Sequence, residues 1–119
     1  AIGREQLKKL PSFLSKREKI FKKYQREGLD LLDVPQNKIN LKPIRYRAIL
    51  KTSDQKNIIN SLEKGGIKAI IPTEDWEIIG NKDLLKNSIS LTKETVSLPI
   101  YPSLSDVDLN LILSILVKK

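Results

Sequence analysis

Apolar positions along the first 27 residues recur in helical steps. Leu7, Leu10, Leu14, Phe21 and Tyr24 are spaced by three, four and seven residues, and Phe13 and Ile20 widen the stripe. Pro11 interrupts it, because a proline ring clashes with the preceding turn yet suits the first position of a new helix. The pattern predicts a short helix ending near Leu10 and a second from Pro11 to Glu27, closed by Gly28 as a C-terminal cap. Lys16, Lys19, Lys22, Lys23 and Arg26 fall on the exposed face of the second helix. Residues 29–43 hold two prolines and read as a connector, with a short extended piece at Asn40–Lys42.

Periodicity then changes from helical to alternating. Ile44, Tyr46, Ala48 and Leu50 point one way and Arg45, Arg47 and Lys51 the other, which predicts a half-buried strand over Ile44–Lys51. Thr52 with Gln55 fits a capping box, opening a helix that buries Ile58, Ile59 and Leu62 and stops at Gly65-Gly66. A second strand is expected over Ile67–Ile71, ended by Pro72. Residues 73–80 form a loop with the single Trp, and Asn81 caps a helix over Lys82–Ser88 that buries Leu84 and Leu85. The third strand is Val96–Ile100. Pro99 suits an edge or a local break in pairing, and Pro102 ends the strand. Ser103 or Ser105 then caps a last helix whose apolar face is Val107, Leu111, Ile112, Ile115 and Leu116. The sum is an α+β fold, a small three-stranded, mainly antiparallel sheet packed with helices.

Length and composition narrow the chemistry. A chain of 119 residues suggests one domain able to bury a core without staples. Cysteine and histidine are both absent, which excludes disulfides, thiolate metal sites, cysteine nucleophiles and the commonest general base. The lack of cysteine fits a cytoplasmic protein. No apolar run is long enough to span a bilayer. The start, AIGREQLKKL, lacks the apolar core of a signal peptide and an initiator Met, as expected of a processed or trimmed chain.

The net charge of +8 raises the question of a phosphate or nucleic-acid partner. Arg45, Arg47 and Lys51 on one strand face are the residues that would grip phosphate. Against nucleic acid, arginine is scarce and aromatic residues make up only 5% of the chain, so a lysine-rich solvated surface, or a fragment of a larger protein with an acidic remainder, explains the charge better. Glu74, Asp75 and Glu77 beside Trp76 have no metal-ligand spacing. Asp106 and Asp108 complement the dipole of the last helix. No lysine has the apolar setting that would lower its pKa for Schiff-base chemistry. The residues themselves thus define an α+β module without a self-contained active site.

Three landmarks, in order, carry a resemblance to a known family. Gln6-Leu7-Lys8-Lys9-Leu10 followed by Arg17 and Tyr24 resembles the helix leading into the small domain of the DegT/DnrJ/StrS sugar aminotransferases. Gly65-Gly66-Ile67 is similar to the "GI" after that domain's helix. Ser97-Leu98-Pro99-Ile100-Tyr101-Pro102-Ser103-Leu104-Ser105-Asp106 is similar to its C-terminal "SLPxxPxLTD" signature, the most specific of the three.

The resemblance implies a C-terminal small domain of a fold-type I homodimer. Residues 1–28 would be leading helices, 29–43 a connector and 44–119 the α+β body. Such enzymes use pyridoxal phosphate to move an amino group, usually from glutamate, onto a nucleotide-linked keto-sugar, and their products feed lipopolysaccharide, capsule, glycan and antibiotic pathways. The Schiff-base lysine, the phosphate-binding residues and the aspartate facing the pyridine nitrogen belong to the large domain. No catalytic, cofactor-binding or metal residue is therefore expected here, and the chain alone should be inactive. Substrate contacts are expected at Tyr101, in the variable part of the LPxxP signature, at Trp76, where relatives carry His or Tyr near the substrate, and at Arg47. Leu7 and Leu10 would be exposed without the large domain. The other reading is a free-standing basic α+β module for nucleic acid.

Overall fold

The computed structural model describes residues 2–34 and 43–117. The extended piece expected at Asn40–Lys42 lies outside them. The elements are α1 (Ile2–Arg26), β1 (Ala48–Lys51), α2 (Gln55–Lys64), a 3-10 turn (Asp75–Glu77), α3 (Lys86–Glu94), β2 (Thr95–Leu98) and α4 (Asp106–Leu116). Helices dominate and one small antiparallel sheet runs through them, as the α+β reading requires.

The expected pair of N-terminal helices is one continuous helix, with Pro11 inside it. Proline removes the donor that would reach the Leu7 carbonyl. Residues 2–12 are all exposed, so water can serve that carbonyl instead. Only the last two turns of α1 reach the core, through Ile20, Phe21 and Tyr24. Ile2 and Leu7 stay 81% and 66% exposed, so the stripe's first half has no cover among the described residues.

Both glycine stops take the form expected of C-terminal caps. Gly28 has φ 86°, with its own N–H donating to Gln25 O and that of Leu29 to Tyr24 O. Gly66 has φ 76°, with its N–H donating to Glu63 O and that of Ile67 to Leu62 O. These paired bonds are Schellman motifs, and the left-handed position favours glycine because it lacks a Cβ.

Among the described residues the sheet has two strands where three were expected. β1 and β2 pair antiparallel, with Ala48 opposite Leu98 and Leu50 opposite Val96. Those four side chains share one face and are buried. The expected strand at Ile67–Ile71 shrinks to a single bridge, in which the Ser97 N–H donates to Ile70 O at 2.8 Å. The Gly66 turn before it and Pro72 after it leave little room for a ladder. On the other edge, the connector supplies a bridge between Leu31 and Leu50. Both edges of the pair are thus partly covered.

β1 is also shorter than expected. Ile44 and Tyr46 are 71% and 72% exposed, whereas Arg45 turns inward, so the phase before Ala48 is the reverse of the predicted one. The cause is Arg45 itself. Its guanidinium donates to Glu18 Oε2 at 3.0 Å and to both carboxylate oxygens of Asp33, and stacks 3.9 Å above the Phe21 ring centroid. That clamp fastens α1 and the connector to the approach of β1.

Three other local expectations change. Thr52 and Gln55 form no capping box. Gln55 Nε2 instead donates to the carbonyls of Thr92 and Thr95 at 2.8 and 2.7 Å, tying α2 to the join of α3 and β2. Asn81 does not start a helix over Lys82–Ser88. Its Oδ1 accepts from the Asp83 N–H in a tight turn, Leu84 is exposed, and the helix begins at Lys86. In α4 the cap is Ser105, whose Oγ accepts from the Asp108 N–H at 3.1 Å. Leu109, Ile112 and Leu113 form its buried face, whereas Val107 is 78% exposed. The buried residues of α1, β1, α2, β2 and α4 join in one core cluster.

Candidate functional site

The segment leaving β2 is where sequence candidates converge. The phenol of Tyr24, fully buried, donates to Pro99 O at 2.9 Å and fixes the turn that Pro99 introduces. Tyr101 follows two residues on, 49% exposed. Burial, and after it the charge of nearby Tyr101, pushes the Tyr24 phenol far above its ordinary range. Tyr24 is therefore a neutral structural donor, not a proton carrier.

Arg47 and Tyr101, two of the three expected contacts, line the same groove of about 410 Å³. Tyr46, Lys68, Ile70 and residues 97–100 complete it, together with Arg17 from α1. Arg17 reaches it because it lies three, four and seven residues before Ile20, Phe21 and Tyr24, on the same helical face. Its family-like spacing marked it in the sequence, but nothing there marked it as a groove residue. Lys68 carries no sequence signal of this kind, since the turn at Gly66 sets its position.

The expected face of Arg45, Arg47 and Lys51 does not form. Arg45 is consumed by Glu18 and Asp33, and Lys51 lies 4.0 Å from Asp30 on the surface. Arg47 alone of the three lines the groove.

Trp76, the third expected contact, does not line it. It is 75% exposed on the 3-10 turn. Glu77 Oε2 accepts from the Glu74 N–H at 2.7 Å and Asp75 lies 3.8 Å from Lys82, so these carboxylates serve the turn and its surface. A separate apolar cleft of about 500 Å³ lies beside this turn, lined chiefly by Leu32, Ile49, Pro72, Ile78, Leu85 and Leu91.

Among the described residues no three His, Cys, Asp or Glu side chains gather as metal ligands, and no helix is long and apolar enough to cross a membrane. The residues do not fit pyridoxal phosphate by themselves. No described lysine is buried, and Lys23, which is half-buried, donates to Asn110 Oδ1 at 2.8 Å. A lysine that carries the cofactor needs a setting that lowers its pKa.

A continuous helix feeding a small sheet, with the proline-bearing exit from β2 held against it, is the arrangement that comparison with known proteins places in a family. The model of the DegT/DnrJ/EryC1/StrS aminotransferase family matches residues 1–117, and the chain belongs to this family. The solved aminotransferase TlmJ from Streptoalloteichus hindustanus superposes with a TM-score of 0.84 at 21% identity, over 98% of this chain and 34% of its own. A DegT DnrJ EryC1 StrS aminotransferase from Brucella abortus gives 0.78 at 19%, over 93% and 32%. The putative sugar aminotransferase Spr1654 from Streptococcus pneumoniae, in its PMP form, gives 0.77 at 20%, over 95% and 32%. The chain therefore spans about a third of the length of the solved structures it matches. A search of curated proteins gave no match. The likeness to fold-type I aminotransferases holds for the fold, with two strands in place of three.

Proposed function

We propose that this chain is the single C-terminal small domain of a sugar aminotransferase. The intact enzyme uses pyridoxal phosphate to transfer an amino group from glutamate to a nucleotide-linked keto-sugar, in the cytoplasm, for surface polysaccharide or glycan biosynthesis. The large domain supplies the lysine and the cofactor site, and a second copy of the enzyme completes the homodimer. The observation that carries this reading is the family match over residues 1–117 in a chain whose described lysines are none of them buried. Arg47 and Tyr101 are the substrate contacts, since they share the groove beside β2.

Two measurements test the reading. The 119-residue chain mixed with pyridoxal phosphate should show no absorbance band of a lysine-bound cofactor, whereas the intact enzyme should show one and aminate a nucleotide-linked keto-sugar. In the intact enzyme, Arg47→Gln and Tyr101→Phe should raise KM for the sugar more than they lower kcat. An intact enzyme without amination of any keto-sugar would overturn the assignment.

A further inference from the structure

We propose that Arg17 and Arg47 form a two-guanidinium cradle for an oxyanion. The inference rests on the reading of the groove as a substrate surface and goes further by naming the chemistry it takes. Nε of Arg17 and Nη1 of Arg47 are both sealed from water, and neither has a hydrogen-bond partner among the described residues. A charged donor stripped of water without a partner is costly. All 14 Asp and Glu residues of the sequence fall among the described residues, and none pairs with either arginine. Arg45, two positions from Arg47, shows the contrast, since it is held by two carboxylates.

The two unpaired arginines come from distant parts of the chain, yet line one groove with Lys68. Like charges brought together in a half-desolvated setting repel, and an anion between them removes that cost. The guanidinium fork matches carboxylate and phosphate oxygens in a bidentate manner. Two forks and an ammonium suit a doubly charged group such as a diphosphate better than one carboxylate. Tyr101, exposed on the same groove, can pack against the remainder of the ligand, while the Tyr46 ring backs the Arg47 guanidinium at 5.4 Å.

The test is a titration of the 119-residue chain with inorganic pyrophosphate at constant ionic strength, read by NMR of the arginine side-chain N–H groups, with glutarate in a parallel series. Saturable shifts at both Arg17 and Arg47 are expected, tighter for pyrophosphate. Tighter glutarate binding would keep the cradle and assign it to the amino donor's carboxylate. Arg47→Gln should weaken binding by about tenfold or more, while Lys64→Gln, outside the groove, should leave it unchanged. Shifts that only grow linearly with added salt, or that saturate elsewhere, overturn the proposal. An intact enzyme that aminates a keto-sugar while its arginines ignore both anions would sink the cradle and leave the functional reading standing. Saturable binding in an enzyme that aminates no sugar would do the reverse.

Discussion

The hydroxyl of Tyr24 donates to the carbonyl of Pro99 at 2.9 Å, joining two residues 75 positions apart. This contact holds the end of α1 against the exit from β2, so both walls of the arginine groove depend on it. Replacing Tyr24 with Phe keeps the packing and strands the carbonyl. The expected cost is about 1 kcal/mol in urea unfolding.

The same phenol makes stability fall in alkali. Its folded pKa lies above its ordinary value of 10.0, chiefly through burial. The unfolded chain therefore gives up this proton first. The stabilisation is complete below about pH 10 and is lost as pH rises through the folded value, at up to about 1.4 kcal/mol per unit. Subtracting the profile of Tyr24→Phe from that of the wild type isolates the contribution of this phenol. A difference that stays constant from about pH 9 to about pH 11 would contradict this account.

The Asp33 end of the Arg45 clamp should respond to acid. Burial alone would raise the Asp33 carboxyl, but hydrogen bonds from the Arg45 guanidinium, the Val34 N–H and Gln25 outweigh it and hold the carboxyl below its ordinary range. Asp33 thus contributes stability above the unfolded carboxylate value, near pH 4, which is lost as pH falls through the folded value. Arg45→Met keeps apolar bulk over Phe21 and removes the ion pairs. We expect it to cost about 2 kcal/mol at neutral pH and to flatten the acid limb of the stability profile.

The helix stops give a purely conformational test. A Cβ on Gly28 would meet nothing within 4 Å, so Gly28→Ala isolates the effect of its positive φ. The expected loss is about 1–2 kcal/mol. At Gly65, whose φ is −81°, the problem is contact instead. A Cβ there would come within 2.8 Å of Ile115 Cδ1, the mobile end of a side chain, and 3.3 Å of Leu62 O. Circular dichroism melts of the two alanine variants should show the larger drop for Gly28→Ala.

Removing the cap of α4 should cost about 1 kcal/mol. Ser105→Ala loses the acceptor for the Asp108 N–H, and Ser105→Asp should restore it. Failure of aspartate to rescue the melting temperature would mean that the Ser105 contact to Asp108 Oδ2 at 2.6 Å matters more than the cap.

Local chemistry was legible in the sequence wherever one residue type has one use. Gly28 and Gly66 signal their stops because few other residues accept that backbone, and Ser105 signals the cap of α4 through its hydroxyl. Two of the departures share a cause. Alternation at Ile44–Arg47 looked like a strand, but an ion pair with residues far along the chain turned Arg45 inward. Gln55 fitted a capping box and was claimed by two distant carbonyls. Tertiary partners overrode local pattern in both cases, and a single sequence does not display them. The groove follows the same logic. Arg47 and Tyr101 were nameable from their own surroundings, whereas Arg17 and Lys68 join them only through the packing of α1 and the turn at Gly66.

The free first half of α1 has a mechanical consequence. Held from Arg17 onward and without cover over residues 2–12 among the described residues, the helix is a cantilever about 22 Å long from Arg17 to Ile2. A tilt of about 5° at its root would carry the tip about 2 Å. Whatever grips the exposed leucines near the tip therefore holds a long lever arm on Arg17 and Tyr24 at the root, and small adjustments there are converted into large displacements at the other end.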